Sequence, residues 1–376
     1  MKILVVFGTR PEAIKMAPLI AALRDESQLE MRVAVTAQHR EMLDPVLKLF
    51  EIIPDFDLDI MQPGQSLTRL TCRIMQGLED IFPQFNPDLI LVHGDTTTSL
   101  AASLSAYYHQ FAIAHVEAGL RTGDLFSPWP EEGNRKITSH LARLHFAPTA
   151  EARTNLLREG VPPEWIFITG NTVIDTLLMT RKWLVDDPKL NRQCAAHYPF
   201  IEPSRKVILI TCHRRENSGQ GIQHICQAIL TLADRYPDVQ FVFPLHKNPA
   251  FRQPIQTLLG HASNIYLTDP QDYLPFVWLM DRTYFILTDS GGIQEEAPAL
   301  GKPVLVLRET TERPEAVSAG SVRLVGTDPQ HIVAQTSLLL DKPSEWRRMS
   351  QTSHPYGHGR ACQLIIDAIK NYQETL

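Results

Sequence analysis

Short apolar runs alternate with longer segments in which apolar residues recur at helical spacing along almost the whole chain. Continuously apolar strands separated by helices are typical of parallel sheets that helices cover on both faces. The pattern therefore predicts an α/β protein built from doubly wound sheets. Strands are predicted at Ile3–Phe7, Arg32–Thr36, Leu89–His93, Ala112–His115, Val207–Thr211, Gln240–Pro244, Asn264–Leu267, Tyr284–Thr288 and Val304–Leu307.

The same pattern divides the chain, which at 376 residues is too long for one compact core. A linker is predicted near Gly170–Asn171, and a second crossing near Pro355–Gly359, where Pro-Tyr-Gly-His-Gly would break any helix. Asp186–Arg205 is polar, and we predict that this segment lies at the periphery of the second domain. The terminal segment Arg360–Lys370 predicts an amphipathic helix that packs back on the first domain. We predict a first domain of residues 1–169 with the terminal helix 360–376, and a second domain of residues 170–359.

Composition narrows the classes of function. The chain has 44% hydrophobic and 21% charged residues with a formal net charge of -6. These values fit a soluble globular protein and argue against a nucleic-acid binder, which normally carries a basic face. The apolar start Met1–Phe7 is too short for a signal peptide, and no run approaches membrane-spanning length. We expect a cytoplasmic protein without membrane or nucleic-acid partners.

The sequence contains no motif that predicts a metal site or a disulfide framework. The five cysteines form no C-x-x-C pair, and the fourteen histidines show no H-E-x-x-H or other ligand spacing. We therefore predict reduced thiols and no metal site.

The first predicted strand leads into Gly8-Thr9-Arg10-Pro11. This turn lacks the G-x-G-x-x-G of a dinucleotide fold and the G-K-[ST] of a P-loop. It offers instead a helix N-terminus with Pro11 near its first position, Arg10 at its mouth and Lys15 one turn further. Cations beside the positive end of a helix dipole suit a phosphate. A surface Arg and Lys on an amphipathic helix explain this segment equally well.

A second turn, Asp289-Ser290-Gly291-Gly292, gives a stronger signal. Two glycines after a serine expose backbone N–H groups at a helix start, where a pyrophosphate can approach closely. A capping box is the alternative, but it requires Glu or Gln where Ile293 stands. Glu296 lies further along the helix, where a carboxylate can accept the hydroxyl groups of a ribose. Together these residues predict a nucleotide diphosphate site.

Charged residues follow several other predicted strands. His213 and Arg214 follow the strand Val207–Thr211 after one intervening residue, at a position where they suit negative charge on a leaving phosphate. Asp95, Glu117 and Glu131 stand in the first domain. Burying an acid directly after an apolar strand costs free energy of folding unless the acid is paired or has a role in binding or catalysis. Several carboxylates around one cleft suit proton transfer. Glu131 and its neighbour Glu132 are also explained as favourable first-turn acids after Pro130.

The chain closely resembles the bacterial non-hydrolysing UDP-N-acetylglucosamine 2-epimerases from end to end, through the motifs FGTRPEAIK, TAQHREML, VHGDTTTSL, HVEAGLRTGD, SPWPEEGNR, TCHRREN, LTDSGGIQEEAP, TTERPEA and HPYGHG. The resemblance implies a glycosyltransferase-B-like fold, in which two Rossmann-like domains face a cleft that holds the substrate, and a homodimer. It implies no NAD, no metal and no other cofactor. UDP is expected to leave UDP-N-acetylglucosamine, giving 2-acetamidoglucal, and to add back after C2 is reprotonated on the opposite face. The product, UDP-N-acetylmannosamine, supplies surface polysaccharide synthesis.

The resemblance also implies residue roles. The family's catalytic acids fall on Asp95, Glu117 and Glu131, of which the first two also contact substrate, and His213 joins the catalytic set. Gln271 and Phe276 are expected to frame the uracil. The full set of UDP contacts falls on Arg10, Lys15, His213, Gln271, Phe276, Ser290, Gly291, Gly292, Glu296 and Arg313.

Some family members bind a second substrate molecule as an activator. Gln38, Arg214 and His246 match that candidate activator site, whereas Glu41 and Gly64 stand where activated members have a glutamine and an arginine. Whether substrate activates this chain is left open by the sequence.

Three other functions stay open at this point. They are a UDP-sugar glycosyltransferase of the same fold, a hydrolysing epimerase that releases free N-acetylmannosamine, and a non-catalytic nucleotide-sugar sensor. The three acids argue against a sensor, and the lack of an obvious acceptor-binding insertion argues weakly against a transferase.

Overall fold

The computed structural model describes residues 1–37, 40–62, 64–351 and 354–374. The chain divides into two compact units, Met1–Thr176 with Tyr356–Leu376, and Leu177–Pro355. The sequence placed the first division at Gly170–Asn171, several residues earlier. The segment after Gly170 belongs to the first unit because the Asn171 N–H donates to the Tyr356 carbonyl at 2.8 Å, and the Thr176 hydroxyl donates to the Ile14 carbonyl at 2.7 Å.

The first unit contains a seven-stranded sheet formed by β1 (Lys2–Phe7), β2 (Glu30–Val35), β3 (Phe56–Asp57), β4 (Leu89–His93), β5 (Ala112–Val116), β6 (Leu144–Ala147) and β7 (Ile166–Ile168). Its helices are α1 (Arg10–Arg24), α2 (Arg40–Leu49), α3 (Leu67–Phe85), α4 (Thr97–Tyr108), α5 (Glu131–Leu141), α6 (Ala150–Arg158) and the start of α7 (Thr172–Asp186). A short 3₁₀ turn occupies Pro163–Trp165.

The second unit contains a six-stranded sheet formed by β8 (Lys206–Thr211), β9 (Val239–Pro244), β10 (Ile265–Thr268), β11 (Phe285–Thr288), β12 (Val304–Val306) and β13 (Val322–Leu324). Its helices are α8 (Pro188–Ala195), α9 (Gln220–Arg235), α10 (Pro249–Leu259), α11 (Tyr273–Arg282), α12 (Gly291–Ala299), α13 (Pro314–Ala319), α14 (Pro329–Asp341) and α15 (Pro343–Ser350). A 3₁₀ turn at Arg215–Asn217 precedes α9.

Both sheets are parallel and share one topology. The first has the order β3-β2-β1-β4-β5-β6-β7 and the second β10-β9-β8-β11-β12-β13. Each corresponds to the Rossmann order, which places a ligand crevice at the carboxyl ends of the strands, where the order reverses. The prediction of two doubly wound, Rossmann-like α/β domains is confirmed for each unit.

Burial explains why the strands are continuously apolar. Ile3, Val5 and Phe7 face one hydrophobic core of the first unit, whereas Leu4 and Val6 face the other. Because successive side chains of a strand point to opposite faces, both faces of the sheet need apolar residues.

The C-terminal helix α16 (Ala361–Gln373) belongs to the first unit. Ile365 and Ile369 are buried in the same core as Ile3 and Met16. The Asp175 carboxylate accepts from the first two backbone N–H groups of α16, at 3.2 and 3.0 Å. A carboxylate at a helix N-terminus satisfies unpaired donors and complements the helix dipole.

The polar segment Asp186–Arg205 lies within the second unit, as predicted, and it is anchored there by an aromatic residue. Tyr198 is buried and stacks on Trp278 of α11, with the ring centroids 5.5 Å apart, and its hydroxyl donates to the Pro275 carbonyl at 3.2 Å. The segment therefore supports α11. None of the helices in the described ranges has the length and apolar character that crossing a membrane requires.

Candidate active site

Two acids of the first unit follow neighbouring strands. Asp95 comes after β4 and Glu117 directly after β5, and because these strands pair in parallel, their carboxyl ends meet at one edge of the sheet. Glu131 is the first residue of α5. All three act electrostatically on one site, since Glu117 and Glu131 both affect the ionisation of Asp95. The structure therefore brings together the three acids that the sequence predicted.

Glu117 combines a strained backbone with a buried carboxylate. Its φ is 64°, in the left-handed region, which costs a residue with a side chain on the order of 1–2 kcal/mol. Its side chain is 8% exposed and forms an ion pair with Lys15. The Asn171 amide donates to Glu117 Oε2 at 2.7 Å. Backbone strain at a buried polar cluster is typical of functional sites.

Lys15 lies on α1, as the sequence predicted, and its ammonium group contacts Glu117 Oε2. The described contact is with an acid, so a phosphate contact for Lys15 stays a prediction. Arg10 is the first residue of α1, and Pro11 follows it in the first turn. The turn before the helix is tight: a Cβ on Gly8 would lie 1.9 Å from Thr36 Oγ1.

Asp95 has surroundings different from those of Glu117. Its carboxylate pairs with Arg135 at 2.9 Å, and its backbone carbonyl accepts from the Asn134 amide at 2.9 Å. Burial raises the pKa of the Asp95 carboxyl. Arg135 opposes this shift, and the negative charges of Glu117 and Glu131 add to it. Neighbouring carboxyls in unlike environments suit separate roles as proton donor and proton acceptor.

The adjacent residues Glu131 and Glu132 have different hydrogen-bond partners. Glu132 is fully buried and accepts from the backbone N–H groups of Thr122 and Gly123 at 3.1 and 3.2 Å, which fixes the loop before α5. For Glu131, Oε2 is buried and has no hydrogen-bond partner among the described residues. A buried carboxylate oxygen without a donor is costly, and a bound substrate can supply that donor. The structure thus favours function for Glu131 and a structural role for Glu132.

Two buried histidines of the first unit, His115 and His145, contact backbone carbonyls. His115 Nε2 lies 2.7 Å from the Gly94 carbonyl, and His145 Nε2 lies 2.8 Å from the Ser139 carbonyl. Burial lowers the pKa of His115 to about 3, so the ring is neutral. Across residues 1–37, 40–62, 64–351 and 354–374, no three His, Cys, Asp or Glu side chains are grouped to hold a metal ion.

His93 makes the stability of the chain depend on pH. Burial lowers its pKa to about 4, against the opposing effect of Glu117. In the unfolded chain a histidine has a pKa of about 6.5. Stability that is fully present above pH 6.5 is therefore lost as the pH falls toward 4, by about 1.4 kcal/mol for each pH unit. Between pH 7 and 5 we expect urea unfolding to show about 2 kcal/mol more loss for the wild type than for His93→Asn. Parallel losses in the two proteins contradict this assignment.

In the second unit, Asp289 holds the loop that carries His213. Asp289 is fully buried after β11 and accepts from the backbone N–H groups of His213 and Arg214, at 3.0 and 2.8 Å. It also accepts from the Asn217 amide at 3.0 Å. The His213 ring remains 40% exposed, with Nδ1 3.4 Å from Asp289 Oδ1. Burial lowers the pKa of His213, and Asp289 opposes this shift.

The N-terminus of α12 is flanked by two guanidinium groups. Ser290 precedes the helix, and its side chain makes no capping hydrogen bond. A Cβ placed on Gly291 would lie 3.4 Å from Arg214 Nη2 and 3.5 Å from Arg313 Cζ. Arg313 is fixed by Glu295, which accepts from its Nε at 2.6 Å. Backbone N–H groups, a helix dipole and two cations are suited to an anion, and we call Ser290–Gly292 with Arg214 and Arg313 the candidate anion-binding turn.

The predicted nucleoside contacts lie on the adjacent helices of this unit. Glu296 is on α12, and its Oε1 lies 3.4 Å from the hydroxyl of the buried Tyr273. Phe276 is on α11, and the Gln271 amide donates to the Asp269 carbonyl at 2.8 Å just before that helix.

The structure describes two of the three candidate activator residues, Arg214 and His246. Gln38 lies outside the described residues. Arg214 lies beside Gly291, within the candidate anion-binding turn. The His246 ring stacks on the His213 ring, with centroids 5.8 Å apart. Glu41 is on α2, and Gly64 is exposed.

Sequence reasoning missed three residues that support the site: Arg135 beside Asp95, Asn171 beside Glu117, and Asp289 beneath His213. The sequence places Asp289 in the turn before α12, and it does not predict that Asp289 accepts hydrogen bonds from the loop of His213. A signal existed for it, since an acid directly after an apolar strand needs buried donors.

Comparison with known proteins identifies the family. The family model described as UDP-N-acetylglucosamine 2-epimerase matches residues 21–370. The UDP-N-acetylglucosamine 2-epimerase of Escherichia coli (strain K12) is 60% identical over 376 residues, covering 100% of both chains. A crystal structure of the Neisseria meningitidis UDP-GlcNAc 2-epimerase bound to UDP-GlcNAc has a TM-score of 0.93 at 53% identity, covering 99% of this chain and 100% of that chain. The S. aureus MnaA–UDP co-structure has a TM-score of 0.86 at 46% identity, covering 100% and 97%. Because the family model spans nearly the whole chain and the E. coli relative is 60% identical over its full length, this chain belongs to the UDP-N-acetylglucosamine 2-epimerase family.

Proposed function

We propose that this chain interconverts UDP-N-acetylglucosamine and UDP-N-acetylmannosamine without releasing free sugar. The observation that carries the proposal is the acid cluster, in which Asp95 and Glu117 lie close together in unlike surroundings. Inverting C2 requires a proton to leave one face of the sugar and another to arrive at the opposite face. Carboxyl groups with different partners can supply a proton acceptor and a proton donor.

The UDP moiety is assigned to the candidate anion-binding turn. A diphosphate would accept hydrogen bonds from the backbone at Ser290–Gly292, with Arg313 and Arg214 neutralising its charge. His213, fixed by Asp289, would donate to the departing phosphate oxygen. The remaining family contacts are assigned accordingly to Arg10, Lys15, Gln271, Phe276 and Glu296. The N. meningitidis relative in complex with UDP-GlcNAc and the S. aureus relative in complex with UDP support this ligand.

The proposed reaction has two half-steps. In the first, a carboxylate takes the C2 proton as the C1–O bond breaks. The electron pair of that bond leaves with UDP, and the C–H pair forms the C1=C2 double bond of 2-acetamidoglucal. In the second, C2 receives a proton on the opposite face, and a phosphate oxygen of UDP attacks C1. Asp95, Glu117 and Glu131 share these transfers, and the positive charge that develops at C1 is stabilised by their negative field.

The proposal extends to the setting of the enzyme. We assign it to the cytoplasm as a homodimer that supplies surface polysaccharide synthesis, because the family that it resembles has these properties. Analytical ultracentrifugation at micromolar concentration tests the dimer, and a measured mass equal to that of one chain would contradict it.

Incubation with UDP-N-acetylglucosamine alone in heavy water tests the function. We expect UDP-N-acetylmannosamine that carries deuterium at C2, with the total of UDP-sugars conserved, because the C2 proton passes through exchangeable carboxyls. Proton NMR of the anomeric and C2 positions measures both quantities. Free N-acetylmannosamine shows a hydrolysing epimerase. Unchanged substrate, with no deuterium at C2, rules out the proposed reaction.

A further inference from the structure

One oxygen of Glu117 receives hydrogen-bond donors from two separate elements. Lys15, on α1, contacts Oε2, and the Asn171 amide donates to the same oxygen at 2.7 Å. Asn171 is 2% exposed and stands directly before α7. Asn171 lies at the predicted linker, and it is not among the UDP contacts that the family resemblance implies.

Asn171 is itself held by hydrogen bonds of both its side chain and its backbone. Its Oδ1 accepts from the Val173 N–H at 3.1 Å, its own N–H donates to the Tyr356 carbonyl at 2.8 Å, and its amide donates to Glu117. Because Oδ1 accepts from the backbone, the NH₂ group is the one that faces the carboxylate. The donor therefore has a fixed direction, and it limits rotation of the Glu117 carboxylate.

The charged and titratable groups around Glu117 come from α1 and from the carboxyl end of β4. Lys15 approaches from α1, Asp95 follows β4, and His93 on β4 places Nε2 3.9 Å from Glu117 Oε2. His93 is neutral near pH 7, since burial lowers its pKa to about 4. Asn171 is the uncharged donor in this set, so it orders the carboxylate without adding charge.

We infer that Asn171 is a positioning residue for proton transfer at C2, acting through Glu117. The inference rests on the proposed function, in which Glu117 moves a proton. Donation to Oε2 fixes the plane of the Glu117 carboxylate relative to its left-handed backbone. A small misplacement of a proton-transfer group is enough to lower turnover strongly.

Two substitutions separate this role from helix capping. Asn171→Ser and Asn171→Asp both keep an oxygen that can accept from the Val173 N–H, and both lose the amide donor. For Asn171→Ser we expect kcat to fall about 10- to 100-fold, with KM and the Kd of UDP within about twofold of wild type. For Asn171→Asp we expect the acidic limb of the kcat profile to move up by about one pH unit, because a second carboxylate disfavours ionisation of Glu117.

A matched control is Asp187→Ser, which alters the residue that caps α8 by accepting from the Lys189 and Leu190 N–H groups. It should leave kcat and the pH profile unchanged.

If the wild type deuterates C2 and Asn171→Ser keeps kcat within about twofold, the inference is wrong while the function stands. An unshifted pH profile in Asn171→Asp, or an equal loss of UDP binding and turnover, also overturns it by showing a structural role. If the wild type does not deuterate C2, the proposed function itself has failed. If Asn171→Ser does not fold, the pH profile of Asn171→Asp by itself decides whether the inference holds.

Discussion

Replacing Glu117 by glutamine should lower kcat about 1000-fold, in the middle of the range that general acid–base groups contribute. Glutamine has the shape of glutamate, and its oxygen can still accept from Asn171 and Lys15. It cannot take up a proton from carbon, so the loss should fall on kcat. The Kd of UDP should change little, because the candidate anion-binding turn is formed by residues of the second unit. Coupled assays give kcat, and calorimetry gives the Kd.

The control for this experiment is Glu151→Gln on α6, whose side chain is 51% exposed in the same unit. Its kcat should match that of the wild type. Asp95→Asn and Glu131→Gln test the other members of the cluster in the same way. Near-normal turnover in all three acid variants would falsify the proposed chemistry.

The second large effect is expected for Gly291→Ala, which should weaken UDP binding about 100-fold. The new Cβ would make ordinary contacts with Arg214 and Arg313, at 3.4 and 3.5 Å, so the free protein accommodates it. It would, however, fill the space between those cations and the backbone N–H groups, where the diphosphate is proposed to lie. Stability should be unchanged or higher by up to about 1 kcal/mol, because alanine favours a helical position over glycine.

Gly221→Ala is the matched control, since Gly221 lies in the first turn of α9. A Cβ there would come no closer than 3.6 Å to its neighbours, and none of those neighbours is a guanidinium group. Calorimetric titration with UDP and thermal unfolding distinguish binding from stability. If Gly291→Ala is folded and binds UDP as the wild type does, the diphosphate does not lie at this turn.

The alternation of elements was predictable because the main strands are buried on both faces and therefore read as apolar runs. Other strands lack that signal. β3 has two residues, β6 contains His145, which bonds to the Ser139 carbonyl, and β13 contains Arg323, which pairs with Glu345. The division of the chain was placed too early because the bond from Asn171 to Tyr356 joins residues that are far apart in sequence.

The acids of the candidate site were predictable from their place at strand ends, since a strand that is buried on both faces exposes its next residue to the ligand edge. Their partners were not. Lys15 and Glu117 are 102 residues apart, and Asn171 is 54 residues from Glu117. Such pairs depend on which strands are neighbours, and no local pattern records that order. For this reason the sequence predicts a phosphate contact for Lys15 from its helix and from the family resemblance, and it does not predict the ion pair with Glu117.

Asp289 has a consequence for the way a nucleotide binds. Its buried carboxylate holds two successive backbone N–H groups of the loop that carries His213 and Arg214. These bonds fix the loop at the carboxyl ends of β8 and β11, which pair in parallel. Association then forfeits little conformational entropy at this loop, and more of the attraction between cations and diphosphate is expressed as affinity. We therefore expect the second unit to act as a preorganised receptor for the leaving group.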